Sequence, residues 1–358
     1  MSLYTRYLLH PYFRAIALIL PLITGTYLLI EFFDKIDNVT NSGLSYAFLL
    51  HYLSFQIPQI LFETWPIILS LSGLLGMAFL ARAGELLAFR TLGFSVWSLA
   101  RPYILATLIL SLIFVALEEL VLPPSTYHQL YLWATKVKKR QPKGLLLKGE
   151  LYFKGVDSFF VGHVLDTEGL HLRDVVYVKI DQHAWPVFII WAPKATYQGN
   201  NLWLFKNGLL KRRAKDFVPQ WFDKHILRLD FSPETVLIVK RIPRTQHLWE
   251  LWKQILFLKK AGLPTRLTEA EISYRVFYPL LAPFLLALAL VMLLQERGRH
   301  ALGKGVTKGL LAIFSGLALY LGIKALGDTG HIPPLMASPL GLGLLALLDT
   351  ILFYQERL

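Results

Sequence analysis

Six stretches of about 20 mostly apolar residues constrain how this chain can fold, because a helix of that length spans the hydrocarbon core of a bilayer. Three precede a more polar middle segment and three follow it. They cover residues 12–33, 57–80, 102–122, 273–294, 306–326 and 335–354. A composition of 54% hydrophobic and 17% charged residues indicates a multi-pass membrane protein. The first stretch is too long for a cleaved signal peptide and lacks a small-x-small site after it, so we expect an uncleaved span.

Basic residues in the short loops predict the orientation of the spans, because Lys and Arg are enriched on the cytoplasmic side. The short loops of one side carry only Lys35. The other side carries Arg6, Arg14, Arg82, Arg90, Arg101, Arg297, Arg299, Lys304, Lys308 and Arg357. We therefore predict that both termini and residues 82–95 are cytoplasmic, and that the middle segment lies on the far side of the membrane.

Residues 82–95, between the second and third spans, predict a short amphiphilic helix. Glu85 would lie in its first turn, where the helix dipole favours an anion. Arg90 would lie in the last turn, and Gly93 would end the helix in a left-handed conformation. A helix of about ten residues is about 15 Å long, enough to insert into a soluble partner. The alternative is an interfacial helix on lipid headgroups, and these residues alone favour neither.

The middle segment, residues 124–268, predicts mostly β-structure. Alternating apolar and polar residues, bounded by Gly, Asn, Asp and Pro, indicate many short strands. The predicted strands cover 145–154, 158–165, 170–181, 187–191, 194–198, 202–205, 209–213 and 225–231. Such spacing is typical of a sandwich, a jelly roll or a barrel. Residues 246–261 then predict a helix at the membrane surface.

Most of the net charge of +13 belongs to this middle segment, which has 24 Lys and Arg against 13 Asp and Glu between residues 124 and 271. The basic runs at 136–140 and 211–213 are either a solvated face or a surface for an anionic lipid or sugar polymer. Nucleic acid is not an expected partner on the far side of a membrane.

The sequence offers little support for an enzyme. It has no cysteine, no phosphate-binding loop of the Gly-x-x-x-x-Gly-Lys-Ser/Thr type, no zinc-binding His pair and no nucleophile elbow. We therefore predict no catalytic residues, no metal and no cofactor, and we expect any ATP hydrolysis to occur in a separate subunit.

Several charged residues fall within or near the predicted spans, where charges usually face a cavity or one another. Most lie towards the far side: Glu31, Asp34, Lys35, Glu63, Glu118, Glu119, Arg275 and Lys324. Salt bridges between spans are one interpretation. The other is a cavity in which Lys35 and Lys324 meet the anionic headgroup of a lipid. Asp349 lies deep in the last span, where we expect it to pair with a basic residue such as Lys308.

The order of these features resembles the lipopolysaccharide export permeases of the LptF/LptG type along nearly the whole chain. Residues 82–95 resemble the coupling helix of that family. Other similarities are at Glu119 with Pro123, 152–154 with 159–162, 271–275 with Pro279, and 333–335. Residues 32–37 and 59–66 look more like the LptG half than the LptF half.

The resemblance implies a polytopic α-helical membrane protein with six transmembrane helices, three before and three after an inserted periplasmic β-jellyroll. The implied domains are 1–123 with the coupling helix at 82–95, then 124–271, then 272–358. The implied location is the inner membrane of a Gram-negative cell. Lipopolysaccharide would enter a cavity between lateral gates formed by the first and fifth spans.

The same resemblance implies three protein partners: an LptF-like second permease, an LptB-like ATPase dimer and an LptC-like bridge protein. Glu85 would contact the ATPase, with Arg90 and Gly93 shaping the helix, and Lys35 would lie near the lipid headgroup. The headgroup role of Lys324 rests on its depth alone. The alternatives are a permease of another ABC-linked lipid or lipoprotein system, which usually has its large domain after the first span, and an integral-membrane lipid-modifying enzyme.

Overall fold

The computed structural model describes residues 3–138, 144–147, 150–155, 157–165, 171–181, 185–213, 217–229, 243–260, 264–296 and 301–355. Some positions named above lie outside these ranges: Lys139, Arg140, residue 170, residues 230–231, Ala261, Arg297, Arg299 and Arg357. The helices are α1 (Leu3–Asn41), α2 (Tyr46–Ser54), α3 (Ile57–Arg82), α4 (Glu85–Thr91), α5 (Val96–Leu132), α6 (Leu248–Lys260), α7 (Arg266–Phe277), α8 (Ala282–Gln295), α9 (Ala301–Thr329) and α10 (Pro334–Gln355).

Five to six membrane spans are present among the described residues. Helices α1, α3, α5, α9 and α10 are each long and apolar enough to cross a bilayer. The predicted fourth span coincides with the pair formed by α7 and residues Pro279–Gln295, which bends by 42° at the break and makes a sixth span if the pair crosses the membrane as one. Pro279 begins a short 3-10 turn there, and proline has no N–H to continue the helical hydrogen bonds. The fold class is therefore a polytopic helical membrane protein with a β domain inserted between the third and fourth spans.

The chain divides into two compact units. The first comprises Met1–Ile36, Leu53–Leu122 and Arg266–Leu358, and the second comprises Asp37–Tyr52 and Pro123–Thr265. The first unit is centred on α3, whose most apolar window is 67% buried, and on α8, most of whose residues are buried. A Cβ on Gly73 would collide with Leu286, and one on Gly309 would lie 2.7 Å from Leu74. Glycine thus lets these spans approach closely, as is usual between membrane helices.

The second unit contains one antiparallel sheet in which every strand pairs with its neighbours in sequence. The strands are β1 (Gly144–Leu147), β2 (Glu150–Lys154), β3 (Ser158–Val164), β4 (His171–Ile180), β5 (Pro186–Gly199), β6 (Leu202–Arg212) and β7 (Gln220–Arg228). Its core includes Leu151, Phe160, Ile190, Trp203 and Phe205, all fully buried. The inserted β domain is confirmed, and its described strands form a meander.

Three details of the predicted strands are wrong. The predicted strand 145–154 is two antiparallel strands, β1 and β2, in which Leu147 pairs with Glu150, and residues 148–149 lie outside the described ranges. Residues 187–198 form one strand, β5, and residues 202–213 also form mainly one strand, β6. Turn-forming residues lie inside β6, where Asn207 has φ +54°. A Cβ on Gly208 would lie 2.6 Å from the Phe222 ring. These residues make an irregularity within a continuous strand.

Candidate functional site

The connection between the second and third spans, residues 82–95, contains the predicted short helix. Helix α4 has seven residues, with Glu85 in its first turn and Arg90 in its last. It is shorter than the ten residues expected, because glycines with positive φ lie just outside both ends: Gly84 at +77° and Gly93 at +86°. The Gly93 N–H donates to the Arg90 carbonyl at 3.0 Å, and the Phe94 N–H donates to the Phe89 carbonyl at 3.1 Å. Gly93 is thus the left-handed stop that the sequence predicts.

One face of α4 packs on the first unit. Leu86 and Phe89 contact the buried helical core. The Tyr4 ring from the start of α1 lies edge-on to Phe89 at 5.8 Å and stacks on Phe94 at 5.2 Å. The opposite face is open, because Leu87 is 68% exposed and the following Leu92 is 74% exposed. Helix α4 is therefore held by one side and presents an apolar surface on the other.

Arg90 holds α4 against the fourth span. Its guanidinium Nη2 donates a hydrogen bond to the carbonyl of Leu294. Leu294 lies in the last turn of α8, where the helix leaves carbonyls without intrahelical partners. The cation also suits the negative end of the helix dipole. Arg90 therefore links α4 to α8, whereas its predicted role in shaping the helix stays a prediction.

Glu85 lies between α4 and α1. Its carboxylate is beside the Tyr7 hydroxyl of α1, and its Oε2 is buried without a hydrogen-bond partner among the described residues. The same residue lines an open cavity of about 1070 Å³ with Arg6, His10 and Arg14. Glu85 thus lies between α4 and the first span, rather than projecting from the exposed face with Leu87.

Lys35 and Lys324, the two predicted headgroup ligands, each pair with carboxylates of their own helix. Lys35 Nζ lies 2.5 Å from Asp34 Oδ2 and 3.8 Å from Glu31 Oε2. Lys324 Nζ lies 2.7 Å from Asp328 Oδ2 and 4.7 Å from the centroid of the Tyr274 ring. About a quarter of each lysine side chain is exposed. Each lysine is therefore partly neutralised, yet still accessible to an anion.

Arg275 joins two carboxylates of the third span. Its Nε lies 3.0 Å from Glu118 Oε1, and its Nη2 lies 2.8 Å from Glu119 Oε2. The salt-bridge interpretation holds for this group, and the sequence signal was three charges at a similar depth on two spans. Another acidic residue, Glu63, accepts from Gln59 Nε2 at 3.1 Å and from the Tyr27 hydroxyl at 3.3 Å.

The expected pair of Asp349 and Lys308 is wrong. Lys308 Nζ lies 2.5 Å from Glu296 Oε1. Both carboxylate oxygens of Asp349 are buried without a hydrogen-bond partner within the described ranges. Glu296 follows the end of α8, only 12 residues before Lys308, so it is the nearer anion along the chain. Within the same ranges no group of three or more His, Asp or Glu residues could hold a metal ion.

Comparison with known proteins adds to this geometry. Curated proteins give no match to the sequence. The family described as lipopolysaccharide export system permease LptF/LptG matches residues 6–355. This match includes all six spans, the β domain and the α4 connection. The chain therefore belongs to the family of lipopolysaccharide export system permeases, LptF/LptG.

Proposed function

We propose that this chain is the LptG-type permease subunit of an ABC transporter that extracts lipopolysaccharide from the inner membrane. The observation that carries the proposal is the two-sided helix α4. Its inner face is anchored by Leu86, Phe89 and Arg90, while Leu87 and Leu92 are exposed. A short rigid helix with an apolar outer face is suited to insert into a groove of a soluble ATPase.

Arg90 and Glu85 each connect α4 to a membrane span. Arg90 bonds to the end of α8, and Glu85 lies beside Tyr7 at the start of α1. A displacement of α4 by an LptB-like ATPase dimer would therefore move the first and fourth spans together. Gly93, with φ +86°, ends the helix before the connection to α5.

Helices α1 and α9 are the proposed surfaces for the second, LptF-like permease. The most apolar windows of α1, α5 and α9 are only 11%, 17% and 22% buried, against 67% for α3. The choice of α1 and α9 among these three rests on the family resemblance. Their low burial would let the first and fifth spans face a partner helix or lipid. We propose that they form the lateral gates, and that an LptC-like bridge protein continues from the periplasmic β domain.

Lys35 and Lys324 are the proposed contacts for the lipopolysaccharide headgroup. Each keeps a cation partly exposed on a span that has a largely unburied apolar surface. A phosphate would compete with Asp34 for Lys35 and with Asp328 for Lys324. Because ion pairs of this exposure are weak, a doubly charged phosphate can displace them.

Copurification tests the proposal. The tagged full chain, expressed in its host membrane, should bring down an ATPase, a second permease and lipopolysaccharide. Glu85→Ala should lower the recovered ATPase or uncouple ATP hydrolysis from lipopolysaccharide release, with the permease pair intact. Glu250→Ala, an exposed carboxylate on α6, is the control. If Glu85→Ala leaves both ATPase recovery and transport unchanged, the coupling role is refuted.

A further inference from the structure

Asp349 lines a second cavity of the first unit. The cavity has a volume of about 420 Å³ and is lined by residues of α5, α8 and α10. Asp349 is 93% buried, being 7% exposed. Neither carboxylate oxygen has a hydrogen-bond partner within the described ranges. An unpaired carboxylate in a membrane span is costly, and such residues usually mark a binding site.

Apart from Asp349 and Thr350, the residues that line the cavity are apolar or aromatic. Leu108, Pro283 and Phe284 form part of the apolar wall. Trp97 and Tyr354 lie near the first residue of α5 and the last of α10, and both are exposed. Tryptophan and tyrosine at helix ends are typical of the membrane interface. The cavity therefore runs from the headgroup level into the acyl-chain region.

The chemistry of the wall selects a class of ligand. A single carboxylate in a mostly apolar wall offers too few oxygen ligands for a calcium ion, which takes six to eight. A primary ammonium group matches it, because it supplies one positive charge and three N–H donors. The indole N–H of Trp97 and the hydroxyl of Tyr354 are donors that suit an adjacent phosphate. Cation, phosphate and acyl chains occur together in an amine-bearing phospholipid.

We propose that the Asp349 cavity binds a phospholipid with a primary ammonium headgroup, of the phosphatidylethanolamine type. The ammonium donates to the Asp349 carboxylate after a small side-chain rotation. The phosphate lies towards Trp97 and Tyr354, and the start of one acyl chain lies along Leu108 and Phe284. The bilayer supplies this ligand at high concentration, so that even a modest affinity keeps the site filled.

A lipid bound in this cavity would pack against the third, fourth and sixth spans and stabilise their arrangement. Trp97 packs edge-on against Phe353 at 4.9 Å, so the third and sixth spans already touch at the cavity rim. Trp97 also follows directly after the α4 connection. The lipid would thus stabilise the start of α5, where the α4 connection enters the third span. This site does not depend on the transported lipid or on the ATPase.

Native mass spectrometry of the delipidated full chain, with its copurified partners, tests the proposal. Three lipids with identical acyl chains are compared: phosphatidylethanolamine, its trimethylated analogue phosphatidylcholine, and phosphatidylglycerol. A charge-assisted hydrogen bond predicts that the ethanolamine lipid binds about tenfold tighter than the other two. Asp349→Asn keeps the shape and should abolish that preference. Glu296→Gln, a carboxylate paired with Lys308, should keep it.

Three results would overturn the proposal. The first is equal binding of the ethanolamine and choline lipids to the unaltered protein, a comparison that needs no variant to fold. The second is full retention of the preference in Asp349→Asn. The third is loss of a protein partner, rather than of lipid, in that variant, because the cavity would then hold a cationic side chain of another membrane protein.

Discussion

Arg275 and Glu118 form a buried ion pair between the fourth and third membrane spans. The Arg275 Nε and Glu118 Oε1 atoms are 3.0 Å apart, and the side chains are 0% and 3% exposed. Glu119 accepts the Nη2 donor of the same guanidinium at 2.8 Å and is more accessible. One cation therefore serves two carboxylates, and the fork geometry of arginine makes this possible.

Removing the arginine should destabilise the helical unit strongly. Arg275→Gln leaves Glu118 buried without its cation, which predicts a loss of about 3–5 kcal/mol in the free energy of unfolding. Arg275→Leu combined with Glu118→Leu should recover part of that loss, since neither charge remains buried. Thermal unfolding of the full chain in nanodiscs ranks the stability of the unaltered protein, the Arg275→Gln variant and the double leucine variant.

Lys304→Gln is the control for the loss of one positive charge, because Lys304 is exposed near the start of α9. It should change stability by less than about 0.5 kcal/mol. If Arg275→Gln were as stable as Lys304→Gln, the ion pair would not link the spans as the geometry indicates.

The two faces of α4 predict two different phenotypes. Leu87→Asp places a charge on the exposed face and should lower recovery of the ATPase about five- to thirtyfold, the effect of an interface hot spot of about 1–2 kcal/mol. The yield of folded permease should not change. Leu86→Asp, on the packed face, should lower the yield itself.

Val218→Asp is the matched control for Leu87→Asp, because Val218 is another exposed apolar residue, 58% accessible, in the β domain. It should leave ATPase recovery unchanged. If the Leu87→Asp variant and the unaltered chain recover equal amounts of ATPase, the outer face of α4 is not the docking surface.

The proposed competition between a lipid phosphate and Asp34 for Lys35 can be tested by removing either the cation or the carboxylate. A photoreactive side chain at Phe33, an exposed position on α1, reports lipopolysaccharide near the lysine. Lys35→Gln should lower crosslinking about two- to fivefold. Asp34→Asn should raise it by a similar factor, because it removes the carboxylate 2.5 Å from Nζ. A loss of crosslinking in both variants would indicate that the ion pair, not the free cation, is needed.

The sequence predicted those features that depend on local chemistry. Span lengths follow from runs of apolar residues, and the end of α4 follows from the need for a residue with positive φ at Gly93. The inserted β domain follows from the alternation of apolar and polar residues in the middle segment. Each of these depends on residues within a few positions of one another, so one sequence suffices.

The partners of charged residues could not be predicted in the same way. Which carboxylate meets Arg275 or Lys308 depends on the rotation and depth of each helix, and these are set by packing across the bundle. For the same reason, nothing in the sequence showed that Arg90 bonds to the Leu294 carbonyl. The irregularity at Asn207 also looks like a turn locally, although pairing on both sides keeps β6 continuous.

His225 should make the β domain sensitive to mild acid. Burial in β7, together with repulsion from Arg212, lowers the pKa of His225 below its ordinary value of 6.5. The folded sheet therefore binds this proton less readily than the unfolded chain does. Below pH 6.5, the free energy of unfolding should fall until the pH reaches the lowered pKa. Hydrogen exchange of the β6 and β7 amides in the full chain, corrected for intrinsic rates, should show protection falling from pH 7 to pH 5. His225→Gln should reduce that slope, and an equal slope in both proteins would contradict the assignment.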